Sequence, residues 1–219
     1  MQPRLFDDVF VTPETPEGSS NEFYTPDWFV RAMEDGWGGR IDLDPSAAPH
    51  RNTRARRFIV GQEGCNGLLE SWAREDGSPS GLVYSNPPYK TPTEEERKKL
   101  PPHWAFGDQG DFVRKAHAEW RLGHFEMAVL LIQQAAIGAK YSHECIRDQA
   151  AAGFPIGRLR FEDVHGTPAS GAGTFASAIV IFTKHVDRYF DMRNALSGAC
   201  TKRGHQVWWI HEPPHLQAR

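Results

Sequence analysis

Along the chain, the longest unbroken apolar run is Met127-Ala128-Val129-Leu130-Leu131-Ile132, the pattern of a strand buried on both faces. Gly81-Leu82-Val83-Tyr84-Ser85 reads as a second strand that ends in a turn, and Phe175 to Phe182 as a third. Shorter stretches at Arg40 to Asp44, stopped by Pro45, at Arg57 to Val60 and at Arg158 to Phe161 complete the expected strands. Helical spacing separates them. Phe29, Val30 and Met33 form an apolar stripe behind Thr25 as N-cap and Pro26 as first helical residue, broken by Gly36 to Gly39. Phe112, Ala116 and Trp120 mark a helix over Asp111 to Arg121; further helices are expected at Pro49 to Arg56 and Ser142 to Ala152. Strand and helix in alternation predict an α/β fold, a mostly parallel sheet with helices on both faces.

Residues 1–22, rich in Pro, Glu, Ser and Thr, read as an N-terminal arm, 23–190 as the folded domain, and 191–219 as a C-terminal tail. Within the domain, residues 90–110 carry charge, proline and Trp104 without apolar spacing and read as a long loop. The chain has 219 residues, 39% hydrophobic and 24% charged, enough for one domain with a substantial core. No apolar run approaches a membrane span, and the start lacks a signal-peptide layout. Three dispersed cysteines (Cys65, Cys145, Cys200) make neither a disulfide framework nor a zinc cluster, which suits a cytoplasmic protein without a metal. A formal charge of −3 argues against a constitutive nucleic-acid coat but leaves room for local basic surfaces. Arg51, Arg54, Arg56 and Arg57 form one such cluster, and Arg97, Lys98 and Lys99 another; a solvated face is the plainer reading of both.

The most chemically specific segment is Asn86-Pro87-Pro88-Tyr89, at the end of the second strand. An exocyclic amine is a poor nucleophile because its lone pair is delocalised. An Asn oxygen and a backbone carbonyl can accept both amine hydrogens and favour a pyramidal nitrogen. The two prolines restrict φ and remove two N–H donors, and the Tyr ring offers a face for a planar substrate. Ligands in open α/β sheets bind at the carboxyl ends of strands. Asp42 and Asp44 read as the end of the first strand, where carboxylate oxygens could hold a cofactor's amine; Asp-Pro-Ser also reads as a turn or cap. His211-Glu212-Pro213-Pro214-His215 has the letters of a zinc-protease motif, but prolines inside it oppose the required helix.

Taken in order, Thr25-Pro26, Asp42-Leu43-Asp44-Pro45-Ser46-Ala47, Asn66-Gly67-Leu68 with Trp72, and Asn86-Pro87-Pro88-Tyr89 resemble the phage-type DNA N6-adenine methyltransferases, the Dam-like family, over roughly residues 22–183. The resemblance implies a Rossmann-like sheet with an antiparallel last strand and S-adenosylmethionine as cofactor. It implies that Asn86 and the Pro87 carbonyl hold adenine N6, that Tyr89 stacks on the base and that Pro88 shapes the turn. Asp44, with Asp42 as second choice, would lie by the methionine part of the cofactor beside Thr25, Pro26 and Pro45. Asn66 stands where related sequences often carry Asp next to the cofactor adenine. DNA is the implied partner, its target adenine flipped out of the duplex, with Arg97, Lys98, Lys99 and Trp104 as candidate contacts. The alternatives are another amine or amide acceptor (RNA adenine, guanine N2, protein glutamine), or a catalytically silent nucleic-acid-binding protein of the same fold.

Overall fold

A computed structural model describes residues 24–47, 52–60, 66–88, 93, 95, 107–157, 159–163, 165, 167 and 176–217. In chain order these hold α1 (Asp27–Trp37), β1 (Leu43–Ala47), β2 (Arg57–Val60), β3 (Ser80–Ser85), α2 (Gln109–Leu122), β4 (Phe125–Gln133), a 3-10 turn (Gln134–Gly138) and α3 (Lys140–Cys145). They continue with β5 (Ala151–Ile156), β6 (Ser177–Thr183), α4 (Val186–Thr201), β7 (Gln206–His211) and a last 3-10 turn (Pro214–Leu216).

The strands form a seven-stranded sheet in the order β2-β1-β3-β4-β6-β5-β7. The first four pair in parallel; β6 pairs antiparallel with both β4 and β5, and β7 antiparallel with β5. The mixed α/β sheet is therefore parallel on one side and alternating on the other, with β6 and β7 both reversed. The apolar run expected at 127–132 lies at the centre as β4, and its alternation explains the layers. Met127, Val129 and Leu131 face a core shared with Phe29, Val30 and Met33 of α1 and Tyr189, Met192 and Leu196 of α4. Ala128, Leu130 and Ile132 face the opposite core, shared with Phe112, Val113 and Ala116 of α2. Helices thus cover both faces, as the alternation predicts. On the first face α1 and α4 approach so closely that a Cβ on Gly36 would lie 2.9 Å from Met192 Cα.

Several local expectations are corrected. Pro26, not Thr25, is the N-cap of α1; the Thr25 hydroxyl lies 2.6 Å from the Tyr84 hydroxyl instead. β1 does not stop at Pro45 but runs through it. Residues 52–56 of the expected helix turn instead: Arg54 has φ 53°, which a right-handed helix does not allow, and Asn52 and Thr53 reach out to Thr25 and Asp44. The helix expected to reach Ala152 ends at Cys145, because Asp148 turns the chain at φ 61° into β5. Residues 159–161 form no strand; only Glu162 bridges, to Tyr24. The tail expected after residue 190 holds most of α4 and all of β7, since Met192, Leu196 and Cys200 continue the buried helical stripe and β7 pairs with β5. The arm of residues 1–22 lies outside the described residues.

Candidate active site

The ends of β1 and β3 diverge for a local reason. Pro45 has no N–H to give, so the pairing of β1 with β2 shifts between Asp44 and Ala47, and Leu43 opposite Val83 is the pair that joins β1 to β3. Past that pair, side chains take over from the ladder. Ser46 Oγ lies 2.8 Å from Ser85 Oγ, linking the residue after Pro45 to the one before Asn86. Gly67 packs against the same proline; a Cβ there would lie 1.9 Å from the Pro45 carbonyl oxygen, so only glycine permits this approach.

Asp44 sits beneath this junction, 4% exposed. Thr53 Oγ1 donates to its Oδ2 at 2.7 Å, while Ser46 N–H (3.1 Å) and Oγ (3.3 Å) donate to Oδ1. All of these donors are neutral. Burial pushes the Asp44 carboxyl up to about 6, against the hydrogen bonds from Thr53 and Ser46 that hold it down. Next to Thr53, Asn52 Nδ2 donates to the Thr25 carbonyl at 3.0 Å, so two consecutive side chains tie the segment before α1 to the strand that carries Asp44. Thr25 and Pro26 are buried beside them.

Asn86 is half-buried at the carboxyl end of β3, Pro87 buried and Pro88 exposed. Tyr89 lies outside the described residues, as do Arg97, Lys98, Lys99 and Trp104. Asn66 folds back on its own turn: its Oδ1 accepts the Leu68 N–H at 2.9 Å, which commits that oxygen to shaping the loop next to Pro45. The structure therefore brings Thr25, Pro26, Asp44, Pro45, Asn66 and Asn86-Pro87-Pro88 to one edge of the sheet.

Asp42 is not among them. It precedes β1, at the amino end, where its Oδ2 accepts the Gly81 N–H (2.6 Å) and an Arg74 N–H (2.8 Å) and its Oδ1 pairs with Arg56 (3.2 Å). That arrangement pins the start of β3 to β1 and takes up Arg56 of the local basic cluster together with Arg74. The zinc-protease letters also separate. His211 ends β7 and accepts the Asp148 N–H, Glu212 is held by Tyr189 and Arg193, and His215 contacts the Thr183 carbonyl. Among the described residues no cluster of metal-ligating side chains is present. Ser46, Asn52, Thr53 and Ser85 are site residues that sequence reasoning missed, because hydroxyl and amide side chains in turns carry no periodicity; the short spacing from Asp44 to Thr53 was the available signal.

No curated protein matches the chain. Solved structures include one described as the structural basis underlying complex assembly and conformational transition of the type I R-M system, with TM-score 0.45 and 11% identity. The match covers 74% of this chain and 42% of that one, so the chain spans less than half the length of that neighbour. The family model described as DNA N-6-adenine-methyltransferase (Dam) matches residues 12–206, nearly the whole of the sequence and every strand down to the start of β7. The chain belongs to the DNA N-6-adenine-methyltransferase (Dam) family.

Proposed function

We propose that the chain transfers a methyl group from S-adenosylmethionine to N6 of an adenine in DNA, by direct in-line attack on a base flipped out of the duplex. The observation that carries this reading is the junction at the carboxyl ends of β1 and β3, where the Ser46–Ser85 contact sets Asn86-Pro87-Pro88 beside the buried Asp44. The parallel order β2-β1-β3-β4 with reversed β6 beside it supports a Rossmann-like methyltransferase sheet.

The cofactor fits the donor set. A carboxylate that burial raises, and whose hydrogen-bond donors among the described residues are neutral, is an electrostatic niche for a cation, and both the ammonium and the sulfonium of this cofactor are cations. Asp44 would hold the methionine end, with Thr25, Pro26 and Pro45 as its walls, and the Asn66 turn would lie toward the nucleoside. When bound, S-adenosylmethionine supplies an electrophilic methyl. On the acceptor side, Asn86 Oδ1 and the Pro87 carbonyl accept the two N6 hydrogens. These acceptors orient the lone pair and stabilise the positive charge that grows on nitrogen. Tyr89 stacks on the base and offsets part of the cost of unstacking it. Arg97, Lys98, Lys99 and Trp104 contact the DNA backbone and flanking bases in this reading. Buried free thiols at Cys145 and Cys200 fit a reducing cytoplasm, the compartment in which we place the reaction.

The experiment offers methyl-labelled cofactor with DNA, RNA and protein together and identifies the labelled nucleoside or residue by mass spectrometry. Label on N6-methyladenine in DNA is expected. Label on RNA or protein, with DNA unlabelled, would overturn the acceptor. Calorimetric binding of the cofactor separates an enzyme from a silent DNA-binding protein.

A further inference from the structure

The carboxyl end of β4 adjoins that of β3, and a polar pair stands there that the reaction as described does not use. Ser85 of β3 lies opposite Leu130 of β4, in a parallel register that runs back through Tyr84 opposite Val129. Continued by one residue, Asn86 is level with Leu131. Met127, Val129 and Leu131 share one face of the sheet with Leu82 and Tyr84. Gln133 is the next member of that series, two residues above Leu131 on the strand beside Asn86, and it is half-buried where the others are fully buried.

Gln133 is also held in place. Its backbone N–H donates to Gln109 Oε1 at 2.9 Å, and its side-chain Oε1 accepts from Gln109 Nε2 at 3.4 Å. Gln109 is the first residue of α2, whose N-cap Asp108 forms a capping box with Asp111. The amide pair thus fastens the start of α2 to the strand next to the Asn-Pro-Pro segment. With the Gln133 oxygen directed to Gln109, its Nε2 is the donor end.

We infer that Gln133 contacts the acceptor base, its Nε2 donating to a ring nitrogen beside N6; this rests on the adenine-N6 reading above. Asn86 and the Pro87 carbonyl take up both N6 hydrogens, which leaves N1 and N7, both acceptors, on either side of N6. A donor at the neighbouring strand end complements either one. Guanine N2 is flanked by N1–H, a donor, and by N3, an acceptor, so the same amide accepts guanine in only one of the two orientations in which it accepts adenine. Gln109 acts through Gln133 and is a positioning residue.

The test measures kcat/KM at saturating cofactor on oligonucleotides carrying the site mapped for the enzyme, with adenine, 1-deazaadenine or 7-deazaadenine at the target. Gln133→Leu is expected to lower kcat/KM on adenine by about tenfold, the loss of one hydrogen bond. On the analogue that lacks the contacted nitrogen the wild type is itself slowed, and Gln133→Leu adds no further loss. Gln133→Glu, isosteric but presenting an acceptor, loses more than the Leu variant, while the calorimetric cofactor affinity of both matches wild type and both stay folded, because the backbone N–H of Gln133 keeps its bond to Gln109. Equal losses on all three bases, or no loss on adenine, would overturn the inference with the adenine reading intact. Wild type that methylates no adenine in DNA would overturn both.

Discussion

Asp42 and Asp44 are separated by one residue and are chemically identical, yet the fold uses them in opposite ways. Asp42 stands before β1 and accepts from two arginines and a backbone N–H. Asp44 stands past the point where β1 leaves β3, accepts from Thr53 and Ser46 among the described residues, and is pushed up to about 6 by burial. A carboxylate already matched by cations from its own chain joins elements together. A buried carboxylate without such a cation among the described residues costs stability, which is what the proposed cationic cofactor would offset. Pro45, the residue after Asp44, creates the difference: the pairing of β1 shifts there, so the sheet opens past Asp44 and not at Asp42.

The largest way to break this contrast is at the acceptor. Asn86→Ala should lower turnover by about a thousandfold, since it removes an acceptor for N6 hydrogens, with calorimetric cofactor affinity close to wild type. Next is Asp44→Asn, expected to weaken cofactor binding by about a hundredfold, or about 3 kcal/mol. The same substitution sharpens the comparison through stability. The folded carboxyl is raised from 3.8 to about 6, so keeping it ionised costs about 3 kcal/mol above pH 6, and the cost vanishes below pH 4, where both states are protonated. Denaturant titrations should therefore show a gain for Asp44→Asn at pH 7 that shrinks as the pH falls from 6 to 4. Reversing the charges of Arg97, Lys98 and Lys99 should weaken DNA binding by about tenfold or more and flatten its salt dependence in fluorescence-anisotropy titrations; unchanged binding removes that segment from the interface. Asp42→Asn should have the smallest effect on catalysis. It should cost about 1–2 kcal/mol of stability in the same denaturant assay, with kcat and cofactor affinity unchanged.

The parts of the fold that were legible are those where one physical signal dominates. β3, β4 and β6 announce themselves as apolar runs because both of their faces are buried. β5 does not: Ala151-Ala152-Gly153-Phe154-Pro155-Ile156 combines small residues with a proline, and its place depends on partners distant in sequence. β7 alternates as an edge strand does, with Trp208 and Ile210 outward and Trp209 inward, but its position next to the His-Glu-Pro-Pro-His letters and the chain end concealed it. The place of the Asn-Pro-Pro segment, at the carboxyl end of a buried strand, was legible because the strand before it is so apolar. The distinct fates of Asp42 and Asp44 were not, since the starting residue of β1 depends on pairing with Arg57 and Val83, which no local pattern contains. Gln109 and Gln133 meet across 24 positions of sequence and left no trace in either neighbourhood.

The most direct test of the account incubates wild type and Asn86→Ala with S-adenosylmethionine and unmethylated plasmid DNA, then maps N6-methyladenine along the plasmid by sequencing. N6-methyladenine at defined positions is expected with the wild type and almost none with Asn86→Ala, although both bind the cofactor. Equal methylation by the two proteins, or a wild type that binds cofactor and leaves DNA adenine unmethylated, would contradict it.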